Sequence, residues 1–385
     1  MTAVTTSGSA DARNMPLKAI DLIWNITLVC PWDCAICCVD AVHVTKHAGM
    51  LELRSKSLSQ SVSLPYLKEN GSIYDQAMSY RQGQGLELDL AGKLRILDNI
   101  EGYKVKIDFS GGDPLSAAEN LQVMRIAAER FGRNSVTLTA TGAGLARCIP
   151  EELASLVGEL NFTYDNILSD AQHNRPAGYA EGNLKKAARF AAANVLTRAE
   201  CPLTVENMDE HRLRRLYLNL HEAGIHKLLL MRLFPVGRGA FQSAQIPTAE
   251  QYRQAITVLR EMEAAYHVPQ VKLQCALKFF DDQTLTDNPC DLVRESFGLM
   301  SDGTLLTSPW AVGPAGRPLG DEWVLGNLAS TPLSIILNSE KAQHYLQHTD
   351  DNFGHCKIFA YMNSKRTESL NRMFDKADPL YLQMT

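Results

Sequence analysis

Alternating apolar and polar positions, separated by helical repeats, organise this chain from residue 108 onward. Strand-like runs fall at Ser135–Ala140, Leu160–Tyr164, Ala193–Thr204 and His226–Phe234. Between them, apolar residues recur at helical spacing over Ala117–Phe131, Glu151–Val157, Gly182–Ala192 and Glu210–Ala223. Upstream, Ala19–Val29 is dense in β-branched and aromatic residues and predicts a strand. Val105–Phe109 alternates and predicts another, while Leu86–Leu97 predicts an amphipathic helix. Such alternation means parallel β/α units, six when counted from the first strand. They close into a partial barrel or wind into an open sheet, and periodicity does not choose between the two. In either case ligands sit at the carboxyl ends of the strands.

The pattern changes after residue 245. Thr248–His267 predicts one long helix leading out of the α/β body. Glu295–Thr307 then reads as a strand, an Asp302-Gly303 turn and a returning strand, a hairpin signal. A helix over Pro332–Gln347 follows Leu325-Gly326-Asn327-Leu328. The expected organisation is a disordered tail over 1–14 and a β/α body over 15–245. A lid-like insertion interrupts that body at about 40–85, from its Lys- and Ser-rich stretch Lys46–Lys68. A connecting helix over 246–275 leads to a small α+β extension over 276–385.

Composition narrows the function classes. The chain has 385 residues, 45% of them hydrophobic, enough for a large core in one or two linked domains. A net charge of −5 calls for neither a nucleic-acid nor an anionic-membrane partner. Met1–Asn14 is small and polar without an apolar segment, and no run is long enough to cross a bilayer, so a cytoplasmic protein is expected. In that setting nine cysteines favour metal ligation over a disulfide framework.

Three of those cysteines carry the chemistry. Cys30-Pro31-Trp32-Asp33-Cys34-Ala35-Ile36-Cys37 places three thiols on one tight loop at the end of the first strand. A cubane iron–sulfur cluster normally takes four cysteines, so three leave one iron open to a ligand that is not protein. A zinc site is the alternative use of the same spacing. Cys38 is expected to be a spectator. Downstream, the strand Val105–Phe109 breaks into Ser110-Gly111-Gly112-Asp113. Paired glycines there let backbone approach a ligand closely.

Together these motifs resemble those of the radical S-adenosylmethionine (radical SAM) superfamily. The resemblance implies a partial (β/α)6 TIM-like barrel in which Cys30, Cys34 and Cys37 hold a [4Fe-4S] cluster. S-adenosylmethionine (SAM) would chelate the open iron, and Gly111, Gly112 and Asp113 would bind its amine. The family's usual Glu is Asp113 here, which shortens the reach and keeps the charge. Ile36 would lie against the adenine. Trp32, read from its bulk alone, shields the cluster or is a surface tryptophan. Thr139 and Thr141 would meet ribose or carboxylate. Arg175, in a stretch with Asp165 and His173, would pair with the SAM carboxylate. Arg232, a charge within an apolar strand, is expected to point into the barrel mouth toward SAM or a substrate acid. The following Pro235-Val236-Gly237-Arg238-Gly239 also matches the family. Asp108, Asp165 and Glu206 are candidate substrate contacts.

The tail resembles a degenerate SPASM/twitch extension. Cys275, Cys290 and Cys356 would support at most one auxiliary Fe-S cluster, or stay buried free thiols. Cys275 or Cys290 would return a hydrogen atom to a substrate radical in an epimerisation. The implied activity is radical SAM hydrogen abstraction of oxidoreductase or epimerase type, fed by an electron donor such as flavodoxin or ferredoxin. A small polar metabolite (sugar, aminoglycoside, nucleoside or amino acid) is the expected substrate. A ribosomally made peptide is the alternative, weakened because only 29 residues precede Cys30, too few for a folded peptide-recognition domain. A non-catalytic metal-binding scaffold is the third reading.

Overall fold

The first strand of the chain becomes a central strand of the main sheet. The computed structural model describes residues 19–55, 61–165, 174–281, 288–364, 372–375 and 377–381; the expected tail over 1–14 and His173 lie outside them. β1 (Ile20–Thr27) ends in a short jog and β2 (Val29–Cys30). β3 (Val42–His47), β4 (Met50–Arg54) and β5 (Val62–Pro65) follow, and β2–β5 form a small sheet of their own. The expected lid is thus a β-meander anchored on the first cysteine, since Cys30 pairs with His43 across β2 and β3.

Strands then alternate with helices. β6 (Val105–Gly111), β7 (Val136–Thr139), β8 (Glu159–Thr163), β9 (Leu196–Leu203) and β10 (Lys227–Arg232) add in sequence order to one side of β1, all parallel. The intervening helices include Ala118–Phe131, Pro150–Leu156, Tyr179–Ala192 and Glu210–Glu222. These six strands are the expected barrel.

Residues beyond 245 continue the same sheet. Thr248 and Gln251 form a reciprocal cap that starts the helix Ala249–Tyr266. That helix does not lead out of the body. It returns the chain to β11 (Gln270–Leu273), which pairs parallel with β10 as a seventh strand. β12 (Ser296–Leu299) lies parallel on the free side of β1, and β13 (Thr304–Leu306) and β14 (Val324–Asn327) follow antiparallel. Eight parallel strands therefore run β11-β10-β9-β8-β7-β6-β1-β12. The hairpin extends the barrel wall, because β1 still had an unpaired edge to satisfy.

The helix expected over Pro332–Gln347 is two, Leu333–Leu337 and Glu340–His348, where Ser339 caps the second. Likewise the helix expected from Leu86 starts at Leu90, capped by Asp89. Glu87 serves elsewhere.

Strand alternation sorts the side chains. Outward faces are apolar: Leu22, Trp24 and Ile26 on β1 and Ile107 and Phe109 on β6 are buried, with Trp24 and Phe109 ring centroids 5.5 Å apart. Each such side chain contributes about 1.5–3 kcal/mol on burial. The inward faces are polar, which is the unusual feature. Asp21 and Asn25 on β1, Lys106 and Asp108 on β6, Thr137 and Thr139 on β7, and Arg198 and Glu200 on β9 all face one cavity inside the barrel. No helix among the described residues is long and apolar enough to cross a membrane.

Candidate functional site

The three motif cysteines open onto that cavity, which has a volume of about 560 Å³. Cys30 is buried at the end of β2, and Cys34 and Cys37 follow on the loop. The loop is held from below and from the side. Below, the Leu28 amide and the Thr27 hydroxyl donate to the Glu87 carboxylate, 2.8 and 2.9 Å, and Arg81 Nε neutralises it at 2.7 Å. That brace fixes the jog between β1 and β2.

From the side comes Arg238, 1% exposed. Its Nη1 donates to the Cys34 carbonyl at 2.7 Å and lies 3.0 Å from Asp33. Its Nε donates to Asp40 at 2.9 Å, its Nη2 to the Ala41 carbonyl, and its backbone amide to the Cys37 carbonyl at 2.8 Å. A planar guanidinium with five donors suits this enclosing role. Gly237, at φ +52°, permits it: a Cβ there would stand 2.4 Å from the Cys38 carbonyl oxygen. The sequence marked this stretch without revealing the clamp.

The sulfurs themselves meet a dry, mutually repelling environment. Burial pushes the Cys30 thiol well up, and the Asp113 carboxylate, Cys34 and Cys37 add to it. Burial also raises Cys34, which Arg175 opposes. Cys37 Sγ accepts from the Ala41 amide at 3.4 Å. Among the described residues no three Cys, His or carboxylate side chains are gathered round one point. Three thiols lining one cavity nevertheless fit a cluster by donor chemistry, since a positive metal centre stabilises the thiolate form that burial disfavours at Cys30 and Cys34. Cys38 also lines the cavity, although it was expected to be a spectator.

Gly111 and Gly112 line the cavity beside the cysteines. Their first requirement is packing. A Cβ on Gly111 would lie 2.2 Å from the Thr27 carbonyl oxygen, and one on Gly112 2.2 Å from that of Val29. Asp113 is a correction. It is 0% exposed and is not on the cavity wall. Its carboxylate accepts from Thr141 Oγ1 at 2.6 Å, the Gly144 amide at 2.8 Å and the Leu115 amide at 3.2 Å. With those donors collected, Asp113 is a brace behind the glycines. Thr141 spends its hydroxyl on Asp113, and Thr139 donates to Asp108 at 2.8 Å; both border the cavity.

Ile36, Trp32 and Arg175 share the same wall. Trp32 meets Tyr179 edge-on at 6.2 Å, and Arg175 lies over the Tyr179 ring at 4.8 Å. Arg175 Nη1 donates to Asp165 at 2.9 Å, so Asp165 holds the arginine and does not reach the cavity. The Arg175 Nε is buried without a partner. Glu206 also lies off the cavity, accepting from Gln245 at 2.9 Å.

Arg232 is the second correction. On β10 it shares the outward face with Leu228 and Leu230, and period-two alternation turns it away from the lumen. It is bound by Asp378 from the C-terminal segment and stacks on Phe359, 3.5 Å from the ring centroid. Cys275, Cys290 and Cys356 do reach the cavity, on the side of the extension, with Lys278, Asp291 and Lys357. Burial raises all three thiols, Cys356 to about 12.

The inner wall went largely unread in the sequence. Lys106, Thr137, Asn161, Arg198 and Glu200 fall on alternate positions of their strands, and that alternation was the available signal. Glu159 at the base is pinned by Lys106 at 2.7 Å and by Arg198 and Lys227, each at 3.5 Å. Burial raises Glu200 to about 7 against the lowering effect of Arg198.

No family model and no curated protein sequence matches this chain. Solved structures do. anSMEcpe with bound AdoMet superposes with a TM-score of 0.58 over 95% of each chain, at 15% identity. Streptococcus suis SuiB bound to the precursor peptide SuiA gives 0.54 over 87% of this chain and 68% of its own, at 13% identity. Both are radical SAM enzymes. The chain has the radical SAM fold. In that radical SAM fold the Cys30–Cys37 loop and the Gly111-Gly112 turn meet at the carboxyl ends of adjacent strands, β1 and β6.

Proposed function

We propose that this chain is a radical SAM enzyme acting on a small polar metabolite. The observation that carries the reading is the meeting of the Cys30-Cys34-Cys37 loop and the Gly111-Gly112 turn on one cavity of a radical SAM fold. Cys30, Cys34 and Cys37 would hold a [4Fe-4S] cluster, and SAM would take the adjoining space. When bound and reduced, such a cluster would supply the electron for cleaving SAM and so open hydrogen abstraction from unactivated C–H bonds. A small donor such as flavodoxin or ferredoxin would provide that electron.

The chain's own groups do the rest. Arg238 and the Glu87–Arg81 pair hold the cysteine loop in place, which is the protein's main task in cofactor chemistry. Arg175, which lines the cavity while Asp165 holds one edge of its guanidinium, would offer the cation for the SAM carboxylate, a pairing that suits guanidinium. Ile36 and the Trp32–Tyr179 pair form the apolar wall for the adenine and keep water out. Gly111 and Gly112 present backbone to the SAM amine, with Asp113 fixing them from behind. Cys275 or Cys290, which line the same cavity, would return a hydrogen atom to the substrate radical.

A peptide substrate is the second reading, favoured because anSMEcpe and SuiB structures with this fold contain peptides. The deciding experiment is anaerobic reconstitution with iron and sulfide, followed by incubation with SAM and dithionite. Reductant-dependent 5′-deoxyadenosine, lost in Cys34→Ala, is expected. Intact SAM after prolonged reduction would remove the proposal.

A further inference from the structure

The inner end of the cavity carries more carboxyl groups than its own cations can pair. Four acidic side chains stand on the inward faces: Asp21, Asp108, Glu159 and Glu200. Glu159 holds Lys106 and Lys227 and shares Arg198. Among the described residues Glu200 is left with Arg198 as its one ion-pair partner, at 3.3 Å. Asp108 has no Lys or Arg within ion-pair distance among the described residues. Its contacts are neutral, with Thr139 Oγ1 at 2.8 Å and Asn161 Nδ2 at 3.1 Å donating to it. Two cavity-facing carboxylates thus depend on one arginine already shared with a third, and buried charge without a partner is unfavourable.

A second observation points the same way. Thr137 Oγ1 is buried, with Thr137 1% exposed, faces the cavity beside Asp108 in the strand register, and has no hydrogen-bond partner. Asn161, 0% exposed, gives its Nδ2 to Asp108 and Thr139 and leaves its Oδ1 orphaned. Buried polar groups are nearly always paired, so the Thr137 orphan on the cavity wall, with that of Asn161 beside it, marks where a ligand supplies the partner. Two carboxylates and an amide oxygen accept, and the Thr137 hydroxyl can accept as well as donate. They call for a group carrying several N–H donors and a positive charge. Arg198 Nε is an orphaned donor in the same region and suits a hydroxyl or carbonyl of the same ligand.

We infer that Asp108 and Glu200 form an ammonium-binding subsite at the inner end of the cavity, and that the substrate is a small molecule bearing a primary amine. This rests on the radical SAM reading for the word substrate; the subsite itself stands on the charges. An anionic or purely neutral metabolite fits the wall poorly, because it leaves both carboxylates uncompensated.

Binding of matched probes to the reconstituted protein tests it by calorimetry: 2-deoxystreptamine and D-glucosamine against myo-inositol and D-glucose. The amine of each pair is expected to bind at least tenfold more tightly. Asp108→Asn and Glu200→Gln, close in shape to the native side chains, are each expected to weaken the amines about tenfold without altering the neutral probes. Glu52→Gln on β4, outside the cavity, serves as the unaffected control. Equal affinity within both pairs in the native protein overturns the inference, as does undiminished amine binding in both cavity variants. SAM cleavage without added substrate is scored separately. Cleavage without amine preference sinks the subsite alone; amine preference without cleavage sinks the enzymatic reading alone.

Discussion

Replacing Asp378 by alanine is expected to lower the free energy of unfolding by about 3–5 kcal/mol, the usual cost of stripping one partner from a buried ion pair. Arg232 is buried, and Asp378 is 0% exposed. The pair is bidentate, with Nη2 donating to Oδ1 at 3.0 Å and Nη1 to Oδ2. Asp378 also accepts from the Cys356 amide at 3.3 Å and the Leu380 amide at 3.0 Å. Removing it leaves a guanidinium confined against Phe359 with no counter-charge and frees the segment that carries Cys356. Urea unfolding measures the loss. The double variant Arg232→Met/Asp378→Ala is expected to regain part of it, because no isolated charge remains. A loss below about 1 kcal/mol for Asp378→Ala, the range of exposed pairs, would contradict the account of this strap.

The second large effect is on cofactor binding. Gly112→Ala puts a Cβ 2.2 Å from the Val29 carbonyl oxygen and 2.7 Å from its carbon, and backbone cannot rotate away as a side chain would. The Gly112 amide donates to Thr27 at 2.8 Å and the Asp113 amide to Val29 at 2.9 Å, so relief must open the seam carrying Cys30. Overpacking typically costs about 1–3 kcal/mol; if that falls on the bound state, SAM affinity is expected to drop by roughly five- to 150-fold. Gly83→Ala, with nothing within 4 Å of its Cβ, is expected to leave affinity unchanged. Equilibrium dialysis with labelled SAM separates the two. Equal affinities would remove the proposed role of this seam.

Much of the barrel was legible in the sequence because its strands and helices carry different periods. β7 through β10 lie within residues of the apolar runs that predicted them. The cysteine loop was legible because its meaning sits in local spacing. Arg232 was misplaced because a charge in an apolar run says only that it must be paired, and its partner lies 146 residues away. Asp113 failed similarly: its three donors come from the turn that follows and from the far side of β7. The polar lumen was missed for a different reason. An alternating strand reads as half water-facing, yet here the polar half lines an enclosed cavity, and sequence pattern does not separate water from lumen. The extension was read as separate because nothing local shows that β12 pairs with β1, more than two hundred residues earlier.

The proposed cluster at the mouth of this barrel rests on Cys30, Cys34 and Cys37. Iron and acid-labile sulfide, counted in anaerobically reconstituted native protein and in the Cys30→Ala/Cys34→Ala/Cys37→Ala variant, test it most directly. About four fewer irons per chain are expected in the variant, with loss of the brown absorption assigned to this cluster. Equal iron in both proteins, or a colourless native protein holding zinc instead, would contradict it.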